Sequence, residues 1–391
     1  MSQLSIYLPA FSGDYSGVCS ALFDLNCVVI IYDASCCTRT YVSYDEPRWA
    51  DTRKSTFCAG LRTMDAILGN DKKLIGQTLD VIEDLKPDFV ALLGSPVPAI
   101  IGTDMIGIAK EIEAQSGYPA LGFDTTGFLY YNRGISSAMI TLLKKFALHK
   151  LDTIKNSVNI LGLTPLDFSA NENCKNFHKL LSDNGLKLNS SFMMNIDLEQ
   201  IYNAPAAAIN LVVSQSGFTT ALYMEEKFGI PYVVATPIGQ YFSKIIVEAI
   251  NQTIKDRKNR ILSGSRNSNE TSPFLIVGDQ VIANSLRAAI QLINKETNIT
   301  VASFFDIQPE LALQGDIFLK SEKHLIELLQ SGKFDRLLAD PLITQLPVAQ
   351  SIKCYPFPHP AISSYLYWDK VPLFMGNLLE EIMPVIVSGE D

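Results

Sequence analysis

Short apolar runs without polar alternation recur along the chain, separated by segments of helical period, and this pattern constrains the fold most. Val28-Val-Ile-Ile-Tyr32, Phe89-Val-Ala-Leu-Leu93 and Phe274-Leu-Ile-Val277 are apolar at every position, so both faces of each strand must be covered. That is the condition of parallel sheets flanked by helices, and the fold class expected is α/β. The 391 residues, 47% of them hydrophobic, exceed what one core absorbs.

Three blocks separate, at 1–155, 156–268 and 269–391. The first has strands near Leu4–Leu8, Cys27–Tyr32, Phe89–Leu93 and Ala120–Phe123, with helices near Ser16–Leu25, Lys73–Leu85, Asp104–Ser116 and Ser136–His149. In the second, strands near Val158–Leu163, Leu186–Ser191, Ala206–Val213 and Tyr232–Ala235 alternate with helices near Lys175–Asn184, Gly217–Phe228 and Gln240–Lys255. A polar stretch, Ser263 to Pro273, reads as the linker into the third. There, strands near Phe274–Val277, Thr300–Phe304, Arg336–Ala339 and Ile352–Tyr355 accompany a helix ending near Ile293.

The net charge of −9 argues against nucleic acid as a partner, since phosphate binding needs a basic surface. The short basic run Lys255-Asp-Arg-Lys-Asn-Arg260 reads as a solvated helix end. No run is long enough to span a membrane, and the first residues lack the regions of a signal peptide, so the cytoplasm is the expected location. Seven cysteines without a CxxC pair, beside four scattered histidines, then read as reduced thiols rather than a zinc site. No nucleophile elbow, P-loop or full GxGxxG appears, so hydrolase, phosphoryl-transfer and dinucleotide chemistry lack their parts.

Parallel sheets bind ligands beyond the carboxyl ends of their strands, so the loops there are the places to look. Phe11-Ser-Gly-Asp-Tyr-Ser-Gly17 offers glycines for close backbone approach and the carboxylate of Asp14, or is an ordinary turn into a helix. Cys36-Cys37 follows the second strand; one thiolate from there can join a metal cluster, whereas a packed, inert thiol is the usual fate of a free cysteine. Leu93-Gly-Ser-Pro-Val-Pro98 carries no ligating side chain beyond Ser95. Ser214 and Ser216 precede a helix that they could cap, or whose amino end could hold an anion. His359, in Pro356-Phe-Pro-His-Pro360, is the histidine with a functional setting; His149, His178 and His324 stand among lysines and point to solvent.

Ile101-Gly-Thr-Asp104, Gly122-Phe-Asp-Thr-Thr-Gly-Phe128, Val158-Asn-Ile-Leu-Gly-Leu-Thr-Pro165, Met224-Glu-Glu-Lys-Phe-Gly-Ile-Pro-Tyr232 and Pro237-Ile-Gly239 together resemble the nitrogenase component 1 superfamily. The similarity runs through nearly the whole chain in the family's order. The resemblance implies three Rossmann-like domains, and assembly with a cysteine-richer sister subunit or a second copy of the chain. It also implies electrons delivered by an ATP-dependent iron protein to an interfacial iron–sulfur cluster, [4Fe-4S], beside a substrate or cofactor cavity. Of the family's cluster cysteines, the post-strand position falls on Cys37, with Cys36 where glycine is usual. The first loop has none, and Val97 occupies the third position. Ser214 stands where the dinitrogen-reducing subunit has its cofactor cysteine, so dinitrogen reduction is not expected. The expectation is a redox subunit acting on an unsaturated substrate such as a tetrapyrrole, with Asp14 and His359 as candidate acids, Cys36 and Cys37 as candidate metal ligands, and Ser214 and Ser216 as candidate cofactor contacts. An assembly scaffold and a cluster-free binding subunit are the alternatives.

Overall fold

Val28 to Ile31 are buried on both faces, as their unalternating run requires, and the other apolar runs behave alike. The structure, a computed structural model, describes residues 5–50, 54–266 and 273–379. Its first sheet comprises β1 (Cys27–Ile31), β2 (Thr56–Cys58), β3 (Phe89–Leu93) and β4 (Ala120–Phe123) in the order β2-β1-β3-β4. A second contains β5 (Ser157–Leu161), β6 (Lys187–Ser191), β7 (Ile209–Val212), β8 (Tyr232–Val234) and β9 (Arg260–Ile261), ordered β6-β5-β7-β8-β9. The third orders β10 (Phe274–Val277), β11 (Ile299–Ser303), β12 (Ile317–Phe318), β13 (Arg336–Ala339) and β14 (Lys353–Pro356) as β12-β11-β10-β13-β14. Every pairing is parallel. The α/β expectation, three mostly parallel sheets flanked by helices, therefore holds.

These orders fix where a ligand would go. The winding reverses between β1 and β3, between β5 and β7, and between β10 and β13. Such switch points open a crevice at the carboxyl ends of the strands. One apolar cluster includes Leu93, Val212 and Leu337, one residue from each sheet, so the three pack against a shared core.

Several sequence expectations change. Residues 5–8 form no strand; the backbone N–H groups of Ile6, Tyr7 and Leu8 instead donate to the Glu322 carboxylate at 2.8, 2.9 and 2.6 Å. Leu4, and residues 267–272 of the expected linker, lie outside the described residues. The helix Glu322–Gln330 that supplies Glu322 is an addition to the expected elements. The basic run does end a helix, with Arg260 paired to Asp256 at 2.6 Å. Among the described residues no helix is long and apolar enough to cross a membrane.

Gly17, which in the sequence offers room for a ligand's approach, serves packing within the chain. Helix Asp14–Leu22 crosses helix Tyr131–Phe146 so closely that a Cβ on Gly17 would stand 2.1 Å from the Tyr131 carbonyl oxygen. One on Gly134 would stand 1.8 Å from that of Asp14. Because both obstacles are backbone, no side chain can yield. Gly134→Ala should therefore destabilise the chain by about 3 kcal/mol, the upper end for overpacking, measured as a lowered midpoint in urea denaturation. An unchanged midpoint would refute the close crossing.

Candidate functional site

After β1 the chain passes Asp33 and turns at Ser35, whose φ of 97° lies in the left-handed region, into a one-turn helix, Cys36–Thr40. Extended chain would put the side chains of the cysteine pair on opposite faces; the pair occupies a helical turn instead. Asp33 Oδ2 accepts from the Thr38 N–H (3.0 Å) and hydroxyl (3.3 Å), which anchors the turn. Cys36 is exposed and Cys37 is 8% exposed. The Tyr15 side chain adjoins the Cys37 thiol, and burial and then the Asp33 charge push that thiol up to about 12. Cys58 reaches the same edge, but its thiol donates to the Asp33 carbonyl at 3.2 Å. Cys19 and Cys27 are buried packing residues.

Asp14 lies just behind this edge. Its Oδ1 accepts from the N–H groups of Gly127 (2.7 Å) and Tyr15 (2.9 Å), and its Oδ2 from the N–H (2.9 Å) and hydroxyl (3.2 Å) of Thr126. Those bonds occupy the carboxylate and staple the loop after β4 to the first helix. The geometry thus gives Asp14 a structural task, and no contact brings it to His359. Asp45, which nothing in the sequence singles out, sits nearby between the hydroxyls of Ser12 (3.0 Å) and Ser16 (2.6 Å); burial raises its carboxyl to about 6.

The loops at the ends of these first-sheet strands carry an unusual amount of exposed apolar surface. Met64, Ile67 and Leu68 stand out from helix Thr63–Leu68, and Val97, Ile100 and Ile101 from helix Pro96–Ile101, which packs beside it. Leu68 and Ile100 are each 74% exposed. Phe128 and Leu129, after β4, extend the face. Contiguous apolar surface of this kind marks an interface.

A second assembly fills the crevice between the other two switch points. Ser214, a candidate cap for helix Gln215–Phe228, turns its hydroxyl away and donates to the Gly162 carbonyl at 2.7 Å. Ser216 does not cap the helix either; its Oγ has no hydrogen-bond partner in the structure. The anion at this helix start is Asp279, from the third sheet's loops, which accepts from Gln215 N at 3.0 Å. Asp279 also caps its own helix, Gln280–Ile293, through the N–H groups of Val281 (2.9 Å) and Ile282 (3.0 Å). A carboxylate joining two helix amino ends is favourably placed, yet burial and then the facing Asp167 push its carboxyl up to about 7.

His359 is buried beside it. Its Nε2 lies 2.9 Å from Asp167 Oδ1 and 3.2 Å from the Tyr131 hydroxyl, which also donates to Asp167 Oδ1. Its backbone N–H donates to Asp340 Oδ2 at 2.8 Å. Asp167, Tyr131, Asp279 and Asp340 carry no motif that would have marked them, and their one signal is a position just beyond a strand end. His178, expected in solvent, is half-buried, its Nε2 2.9 Å from Ser191 Oγ, and burial lowers its pKa.

An iron–sulfur cluster needs thiolates. Among the described residues no three His, Cys, Asp or Glu side chains are grouped to hold a metal ion. Cys36 and Cys37 thus offer thiols at this edge but no complete ligand set among the described residues.

A family model described as nitrogenase component 1 type oxidoreductase matches residues 14–270. A light-independent protochlorophyllide reductase subunit of Crocosphaera subtropica is 25% identical over 203 residues, covering 49% of this chain and 40% of that protein. Its Nostoc punctiforme namesake is 24% identical over 196 residues, covering 48% and 39%. The chain thus spans about two fifths of the length of these curated relatives. A solved structure described as nitrogenase Cp1 at pH 6.5 shares the fold, with a TM-score of 0.71 at 12% identity over 100% of this chain and 94% of that one. With most of its length matched by the family model and its three parallel sheets matched in structure, the chain belongs to the nitrogenase component 1 type oxidoreductase family.

Proposed function

We propose that this chain is one subunit of a nitrogenase-like reductase, in which Cys37 supplies one thiolate to a [4Fe-4S] cluster shared with a partner. The partner is a cysteine-richer sister subunit or a second copy of this chain, an ATP-dependent iron protein delivers the electrons, and the substrate is an unsaturated molecule such as a tetrapyrrole. Family membership and the protochlorophyllide reductase names of the relatives support this reading. The observation that carries it is the placement of Cys37: in the turn after β1 at the carboxyl edge of the first sheet, next to Tyr15, with exposed apolar helices after the neighbouring strands of the same sheet.

The cluster, when bound, supplies one-electron transfer. This chain's residues orient and tune it. Asp33 holds the helical turn that presents both thiols, and the Tyr15 O–H, donating to a ligating sulfur, favours the more reduced state. Leu68, Ile100 and Phe128 exclude water where the partner docks. A cluster-free binding subunit is the second reading, favoured by the thiol pushed up to about 12 and by the lack of a third ligand nearby among the described residues.

Anaerobic co-purification with the sister subunit should yield iron in the wild type and in Cys36→Ala. Cys37→Ala should lose the cluster signal in electron paramagnetic resonance, and Tyr15→Phe should keep it at a lower midpoint potential. Iron content indifferent to Cys37→Ala would sink the ligand assignment. Replacing Leu68 or Ile100 by Asp should weaken association by about 10- to 100-fold, the equivalent of a lost buried aliphatic side chain, as read by sedimentation. Unchanged association would remove this face from the interface.

A further inference from the structure

The crevice between the second and third sheets is where this topology would hold a ligand, but the chain fills it with its own side chains. Phe305 packs edge-on against both Tyr131 and His359, each with ring centres 5.1 Å apart. The space left, lined by Asp167, Asp279, His359, Phe357 and aliphatic side chains, is about 20 Å³. That holds one water, against the roughly 300–1,000 Å³ of ordinary cofactor and substrate pockets. This crevice is therefore closed, and neither a tetrapyrrole nor a metal cluster fits it.

What closes it is an unbalanced group of buried acids. Asp167 and Asp279 line this space together with His359, Asp340 holds the His359 backbone N–H, and none of the three acids bonds a lysine or arginine among the described residues. Two acceptor oxygens, Asp167 Oδ2 and Gln215 Oε1, are buried without a hydrogen-bond partner among the described residues. On Asp279, Oδ1 receives three N–H groups, whereas Oδ2 receives only that of Gln215, at 3.0 Å. Oδ2 is thus the oxygen free to carry a proton. A proton there supplies a missing donor and removes one of the facing charges.

We infer that this crevice is a proton-dependent latch: a proton held by the Asp167–Asp279 pair keeps His359 and Tyr131 in the ligand's place and locks the third sheet's loops onto the second's. Losing the proton leaves the buried carboxylates facing each other, and the crevice loosens. The latch does not depend on the cluster edge at Cys37.

The sign follows from linkage. The Asp279 carboxyl is raised by burial and by Asp167, so its contribution is full below the unfolded value of about 4 and is lost as pH rises to about 7. Asp340 is raised by burial in the same sense. Tyr131 is raised too, so its phenol stays neutral throughout this range.

Infrared spectra of the intact chain at about pH 5 should show protonated-carboxyl absorption, Asp45 contributing part of it, from which Asp279→Asn removes one component while Asp45→Asn leaves that component in place. Between about pH 5 and pH 8, amides of 213–217 and 279–283 should exchange about 100-fold faster than base catalysis alone explains, two pKa units' worth of free energy. Asp279→Asn and Asp167→Asn, both isosteric and uncharged, should remove that excess. No carboxyl band in the wild type, or an excess undiminished in either variant that folds, would overturn the latch. Should neither variant fold, the band that remains at about pH 5 in Asp45→Asn and its loss by about pH 8 decide the matter, and no remaining band overturns the latch.

Discussion

The three sheets meet at Tyr131. Its N–H donates to the Ser12 carbonyl in the first loop, and its carbonyl presses on Gly17. Its hydroxyl reaches Asp167 beyond the second sheet and His359 beyond the third. A parallel sheet leaves its strand ends as loops whose polar groups must be satisfied by something outside the sheet. Here the three loop systems satisfy one another, and Tyr131 spans them because a helix begins at that residue. The glycine crossing behind it holds this helix against the first one, so the hydroxyl's position follows from backbone contact.

The interior strands are legible in the sequence because parallel packing leaves their composition little choice. Cys27–Ile31, Phe89–Leu93, Phe274–Val277 and Arg336–Ala339 fall where their runs place them, and so does the edge strand Ala120–Phe123. Thr56–Cys58, Arg260–Ile261 and Ile317–Phe318 are not legible, being short, partly exposed edge strands with no apolar run to announce them. Leu4–Leu8 misleads in the opposite way. Its alternation resembles a strand, but what orders residues 6–8 is one carboxylate more than three hundred residues away.

The candidate site divides along the same line. Cys37, Ser214 and His359 can be singled out because local sequence places them after strands. Their partners cannot, since Asp167 and Asp279 become neighbours only when two sheets face each other. Asp279 looks like a simple helix cap, and it is one; its second task, at the amino end of Gln215–Phe228, belongs to the tertiary fold. Ser214 does not cap the helix because Asp279 accepts the Gln215 N–H while the Ser214 hydroxyl donates to the Gly162 carbonyl.

Edge and interior follow one rule, that a buried ionisable group stays neutral until a partner stabilises its charge. At the edge, the Cys37 thiol is held neutral by burial and by Asp33, so the free chain has no thiolate ready for iron. A positive metal ion delivered with the partner reverses that balance, and docking the apolar face around it removes the competing water. Under the proposed reading, cluster binding and subunit association are therefore one coupled event. In the interior the acids bond no lysine or arginine among the described residues, only His359 stands beside them, and the inferred latch has them hold a proton. The same desolvation that suits one site to a metal from outside closes the other to any ligand larger than water.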